Sequence, residues 1–156
     1  MSYAELASLV ESMGERTFRV RQLYRWMHQK YARSFAEMSD LPKAFRERLE
    51  AESSLTTLEQ DLAQRSSDGT VKYRFRTADG MLIESVYMPE EKRQTLCVST
   101  QVGCAMGCAF CRTATMGFVR HLTAGEIVDQ VHRVNAELLA AGMDGPRPLT
   151  NLVFMG

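Results

Sequence analysis

Long apolar runs are missing from these 156 residues, and so is any excess of charge. Lys and Arg together number 19 and Asp and Glu also 19, so the formal net charge is zero. Without a bulk field, any binding of a polyanion has to come from a local basic patch. No apolar stretch approaches the ~20 residues that a bilayer-spanning helix needs. The N-terminus, MSYAELASLVESMGER, carries acids and no basic region ahead of an apolar stretch, which excludes a secretory signal. Internal repeats and low-complexity tracts are also absent. A composition of 45% hydrophobic and 24% charged residues is that of a globular chain, read here as cytoplasmic with no membrane partner. The length suits one ordinary domain, or a small domain with part of a larger one.

Cysteine is scarce, at four, yet all four lie between Cys97 and Cys111. In a cytoplasmic chain such clustering points to metal or redox chemistry rather than to structural disulfides.

The first fifty residues predict short helices. Ser2 and Glu5 form a capping-box pattern, followed by Leu6, Leu9, Val10 and Met13 at helical spacing and by Gly14 as a stop. A second helix is predicted from about Val20 to Tyr31, with Val20, Leu23, Tyr24, Met27 and Tyr31 forming a core stripe. A third starts near Pro42 and buries Leu41, Phe45 and Leu49. From about Leu55 the period changes to two: Val71, Tyr73 and Phe75 alternate with Lys72, Arg74 and Arg76, between hairpin signals at Asp68-Gly69 and Asp79-Gly80. Met81 to Met88 and Thr95 to Thr100 read as further strands of a small antiparallel sheet. Thr123 and Glu126 then cap a helix carrying Ile127, Val131, Val134 and Leu138, and Asn151-Leu-Val-Phe is a short apolar strand. Strand, loop, helix and strand make one βαβ unit, hence a parallel pairing.

The fold class predicted is therefore α/β with an α+β front part. Residues 1–52 form a helical domain, 53–93 an antiparallel β extension, and 94–156 the start of a larger core. One unit cannot close a sheet, so the chain is expected to be a truncated piece that stops at Gly156, where α/β enzymes place ligand-binding loops.

Gly103-Cys-Ala-Met-Gly-Cys-Ala-Phe-Cys111 is a C-x3-C-x2-C spacing. Three thiolates on one loop can each take a corner of a 4Fe–4S cube and leave the fourth iron open to a small molecule. Gly103 and Gly107 would let the backbone fold tightly around it. Zinc would want four ligands, usually in paired C-x2-C knuckles; Cys97 could complete such a set only from a predicted strand.

The motif, with Phe110 as its aromatic, resembles the cluster loop of the radical S-adenosylmethionine superfamily. Thr95-Leu-Cys-Val-Ser-Thr-Gln-Val-Gly-Cys104, Thr113-Ala-Thr-Met-Gly-Phe118 and Arg120 resemble the dual-specificity 23S rRNA/tRNA adenine-C2 methyltransferase family. So do Phe18-Arg-Val-Arg-Gln-Leu-Tyr-Arg-Trp26, Met38-Ser-Asp-Leu-Pro-Lys43 and Ile83-Glu-Ser-Val-Tyr-Met-Pro89. The resemblance implies the opening of a partial (β/α) barrel, with Cys104, Cys108 and Cys111 as cluster ligands and S-adenosylmethionine as the second cofactor. It implies that Glu84 accepts the proton from adenine carbon 2. It also implies that Cys97 forms a disulfide with a methyl-carrying cysteine near the enzyme's C-terminus and so releases the product. That cysteine, and a Gly-Glu-Pro segment that follows the Met155-Gly156 match, are not in this chain, so the fragment is not expected to complete the reaction. Implied partners are 23S rRNA, tRNA and an electron donor such as flavodoxin, acting on a monomer. The related carbon-8 methyltransferase shares the cysteine chemistry. A non-catalytic iron–sulfur or zinc RNA-binding module is the alternative from another class.

Between Glu15 and Arg33 there are six basic residues and the single acid Glu15. Arg21, Arg25 and His28 fall at i, i+4 and i+7, a face open either to solvent or to RNA phosphates. Trp26 and Tyr31 are candidates for stacking on bases, Tyr31 the weaker because it lies on the core stripe.

Overall fold

The computed structural model describes residues 1–109, 111, 113–143, 145 and 147–155. The motif aromatic Phe110 and the terminal Gly156 lie outside the described residues. Three helices come first: α1 (Tyr3–Ser12), α2 (Phe18–His28) and α3 (Lys43–Glu52), with a 3-10 turn over Phe35–Glu37. The strands follow as β1 (Leu58–Arg65), β2 (Val71–Thr77), β3 (Leu82–Pro89), β4 (Gln94–Ser99), β5 (Gln101–Gly103) and β6 (Phe118–His121), with a 3-10 turn at Thr113–Met116. Helix α4 (Ala124–Ala140) and strand β7 (Asn151–Met155) complete the described chain.

The capping box at Ser2 and Glu5 is formed, and Gly14 turns the chain out of α1 with φ +70°. Leu6, Val10, Met13, Val20, Leu23, Phe35, Met38, Leu41, Phe45 and Leu49 close into one apolar cluster, so the helices carry their own core. Helix α2 ends at His28, earlier than the apolar stripe suggests. Tyr31 lies beyond it with φ +51°, a left-handed backbone uncommon for an aromatic residue, and its ring is buried. The stripe is real, but its last member reaches the interior from a turn.

The five-stranded sheet runs β1-β2-β3-β4-β7. The first three pairings are antiparallel, while β4 and β7 are parallel, the crossover between them being α4. The antiparallel extension and the βαβ unit are thus one continuous sheet. Strand β1, Leu-Glu-Gln-Asp-Leu-Ala-Gln-Arg, carries little apolar signal; it is an edge strand that buries Leu58 and takes its order from β2. One face of the sheet buries Val71, Tyr73, Phe75, Ile83, Tyr87, Leu96 and Val98 against Val134 and Leu138 of α4. Burying side chains of this size contributes roughly 1.5–3 kcal/mol each, which sets the register of every strand. β5 and β6 form a separate antiparallel ribbon that the period-two pattern did not disclose. Among the described residues no helix is long and apolar enough to cross a membrane.

Candidate functional site

Strand alternation decides which side chains share a face. Cys97 stands opposite Val86 on β3 and level with Val153 on β7. Glu84 lies two residues before Val86, hence on the same side of the sheet, away from α4. The two candidate catalytic residues therefore project from the open face of a rigid sheet. The Glu84 carboxylate is exposed and meets Lys72 Nζ at 3.0 Å. Arg74, directly across from Glu84 on β2, is taken instead by Asp61, which also holds Arg76. Beneath Glu84, the Ser99 hydroxyl donates to its backbone carbonyl at 2.7 Å, and Gln130 of α4 accepts from Ser99 N–H at 2.9 Å. Cys97 is half-buried, and that burial raises its thiol above the ordinary value.

The chain leaves β4, passes through β5, and forms the cysteine loop before returning along β6. The loop starts where Cys104 N–H donates to the Gly117 carbonyl at 3.2 Å. Within it, Ala105 N–H donates to Gln101 Oε1 at 3.3 Å, Met106 N–H points at Cys104 Sγ at 3.5 Å, and Cys111 N–H donates to the Cys108 carbonyl at 3.0 Å. Cys104 and Cys111 are half-buried and Cys108 is exposed; no disulfide joins any of the four cysteines. Among the described residues no three His, Cys, Asp or Glu side chains are gathered as a ligand group. The loop carries the three thiols on one short segment. Its donor set, three soft sulfurs with a backbone N–H aimed at one of them, fits an iron–sulfur cluster and falls one ligand short of a closed zinc site.

Where β6 leaves the loop, Arg120 sits between two carboxylates. It bonds Asp79 of the β2–β3 hairpin through Nε (2.8 Å) and Nη2 (3.0 Å), and Glu126 of α4 through Nη1 (2.9 Å) and Nη2 (2.8 Å). These bonds hold both carboxyl groups below their ordinary range, Asp79 well below it. The motif match picked out Arg120; no spacing in the sequence pointed to its two partners.

On α2, Arg21 and Arg25 are exposed beside a shallow hollow of about 480 Å³ that also takes in Phe18, Gln22, Tyr24 and Gln29. His28 does not stand with them. Its ring packs at a tilt against Tyr24, 4.3 Å between centroids, and its Nδ1 lies 3.2 Å from His132 Nε2 on α4, because the last turn of α2 packs against the sheet's helix. Burial pushes both imidazoles down, His132 to about 4. Trp26 donates to Asp40 and carries Lys30 Nζ 3.4 Å above its ring, while Tyr31 packs edge-on against His132. The Tyr31 ring is buried, and Trp26 is half-buried.

The crystal structure of a radical SAM methyltransferase from Sphaerobacter thermophilus matches this chain with a TM-score of 0.90 and 40% identity, covering 99% of this chain and 46% of that one. The fold is therefore similar to the matching part of a radical SAM methyltransferase. Residues 1–55 match the ribosomal RNA large subunit methyltransferase N-terminal domain. The dual-specificity RNA methyltransferase RlmN of Anaeromyxobacter dehalogenans (strain 2CP-C) is 62% identical over 97% of this chain and 41% of its own length. RlmN of Halorhodospira halophila (strain DSM 244 / SL1) is 48% identical over 97% of this chain and 40% of its own. The chain is homologous to RlmN enzymes along nearly all its length, and spans about two fifths of the length of these curated relatives.

Proposed function

We propose that this chain is the part of a radical SAM RNA methyltransferase that carries the cluster loop, in an enzyme that methylates carbon 2 of adenine in 23S rRNA and tRNA. The observation that supports it best is one of placement: the three-cysteine loop follows β4, while Cys97 on β4 and Glu84 on β3 share the sheet's open face. Cys104, Cys108 and Cys111 would hold a 4Fe–4S cluster, which when bound supplies the electron for reductive cleavage of S-adenosylmethionine. Glu84 accepts the proton from adenine carbon 2, with Lys72 holding its carboxylate over the open face. Cys97 is the thiol that exchanges with a second cysteine of the enzyme. Its raised pKa keeps it protonated at neutral pH, so exchange needs a base to take that proton. Residues 1–52 form the RNA-engaging helical domain, 53–93 the β extension and 94–156 the opening of the core. The enzyme works in the cytoplasm as a monomer, served by a small electron donor such as flavodoxin.

Anaerobic reconstitution tests the cluster. About four irons and four sulfides per chain are expected. Cys104→Ala, Cys108→Ala and Cys111→Ala should each abolish the brown chromophore and Cys97→Ala should leave it; bleaching by Cys97→Ala would undo the three-ligand assignment. For RNA, Arg21→Ala with Arg25→Ala in the complete enzyme is expected to weaken binding and flatten its salt dependence by a slope of about one per lost phosphate contact. An unchanged slope would assign that face to solvent.

A further inference from the structure

We propose that Gly103 and Gly117 form a backbone latch that closes the cysteine loop and aims the Cys104 thiol, which makes Gly103 a positioning residue for the cluster. The inference rests on the cluster reading above and adds to it the device that holds the first ligand.

Three glycines in and beside the loop have left-handed backbones: Gly103 (φ +72°), Gly107 (φ +64°) and Gly117 (φ +74°). Only one of them lacks room for a side chain. A Cβ on Gly103 would stand 1.8 Å from the Gly117 carbonyl oxygen and 2.9 Å from its carbonyl carbon, with the Phe118 Cα at 3.3 Å. All three are backbone atoms, so no side-chain rotation relieves the overlap. A Cβ on Gly107 or Gly117 would meet nothing within 4 Å.

The reason for the close approach lies in the ribbon. β5 and β6 pair Val102 with Arg120 and Gly103 with Phe118, the register slipping between the two pairs. That slip brings the Gly117 carbonyl over Gly103, where it accepts from Cys104 N–H at 3.2 Å. The loop over residues 104–117 is pinched shut at its first ligand. Cys104 is thereby fixed at its own amide, and its sulfur faces the Met106 N–H at 3.5 Å, whereas Cys108 is exposed. The first thiol is thus positioned by the fold before any iron arrives.

The test compares Gly103→Ala, Gly107→Ala and Gly117→Ala in this chain. Iron and sulfide per chain are measured after anaerobic reconstitution and desalting, alongside circular dichroism and the electron paramagnetic resonance of the reduced cluster. Gly103→Ala is expected to hold the cluster roughly 10–100-fold more weakly, the usual effect of losing an outer support of a metal site, with its sheet signal kept. Gly107→Ala and Gly117→Ala share the backbone strain but not the overlap, and are expected to stay near the unaltered chain. Equal cluster retention and an equal resonance signal across the three variants would overturn the latch. Should Gly103→Ala not fold, hydrogen exchange of the Cys104 amide in the unaltered chain decides. Protection is expected, and exchange at the rate of an unstructured peptide amide would overturn the proposal. An unaltered chain that takes up no iron at all sinks the cluster reading instead, a different failure from three variants that load alike.

Discussion

Helices α1 and α4 open with the same local device and use it differently. In α1, Glu5 N–H donates to Ser2 Oγ at 3.3 Å and Ser2 N–H to Glu5 Oε2 at 2.6 Å. In α4, Glu126 N–H donates to Thr123 Oγ1 at 3.2 Å and Thr123 N–H to Glu126 Oε2 at 2.8 Å. Each box satisfies two of the backbone donors that a helix start leaves unpaired. Glu5 does so in solvent. Glu126 is 6% exposed, and its carboxylate also takes Arg120, which in turn holds Asp79. The cap of α4 therefore joins three separate pieces, namely the β2–β3 hairpin, the strand returning from the cysteine loop and the crossover helix. The same four-residue pattern is a local end-stop in one place and a tertiary junction in the other, and burial makes the difference.

The contrast should be largest for Arg120→Ala. Removing one partner of a buried pair leaves the other charge uncompensated, usually at ~3–5 kcal/mol. With the Arg120 side chain 30% exposed, the lower end, about 3 kcal/mol, is expected in urea unfolding. Among the described residues no cationic side chain pairs with Glu5 as Arg120 does with Glu126, and a loss under ~1 kcal/mol for Arg120→Ala would put the two caps on equal terms.

Acid acts next, on two groups of α4. His132, on α4, lies against His28 of α2 and near Tyr31, with Asp129 one turn earlier in its own helix. Burial first, and the His28 charge second, push His132 from 6.5 to about 4. A base whose folded pKa is depressed binds fewer protons folded than unfolded. Its stabilisation is thus complete above about pH 6.5 and is lost as the pH falls towards 4. The decline should be on the order of 2–3 kcal/mol, and His132→Asn should flatten it. Glu126 follows the same sign at lower pH. Its contribution is complete above the ordinary carboxylate value and is lost as the pH falls from there through its lowered folded value. Melting curves from pH 7 to 4 that fall no less steeply in His132→Asn would show that the pair carries no such linkage.

The smallest effects concern the caps themselves. Thr123→Ala is expected to cost about 1 kcal/mol or somewhat more, and Ser2→Ala about 0.5 kcal/mol, near the low end for an exposed helix start. Equal losses by chemical denaturation would mean that burial of Glu126 does not strengthen its own cap.

Much of the architecture is legible because its causes are local. Ser2 with Glu5, Thr123 with Glu126, Asp68-Gly69 and Asp79-Gly80 act over two to four residues, and each stands where its pattern places it. The βαβ unit follows from two apolar strands around an amphipathic helix, and β4 and β7 do pair in parallel. The face shared by Glu84 and Cys97 follows from strand alternation only once the β3–β4 register is set, and pairing sets that register. Edge strand β1 stayed hidden because its residues are mostly polar. The β5–β6 ribbon stayed hidden because its strands are only three and four residues long.

His28 marks where sequence reading stops. Helical spacing places it with Arg21 and Arg25, but its partner is His132, 104 residues away, and no periodicity in either segment refers to the other. The sequence by itself determined the helix starts, the hairpins, the amphipathic faces and the presence of three closely spaced thiols, because neighbouring residues act on one another through covalent proximity. Only the tertiary structure decided that Glu126 is buried with Arg120, that His28 turns inward, and that Gly103 meets the Gly117 carbonyl. Such contacts exist only after the sheet has been packed and its register set, when burial and close approach assign energies that the chain in isolation does not contain.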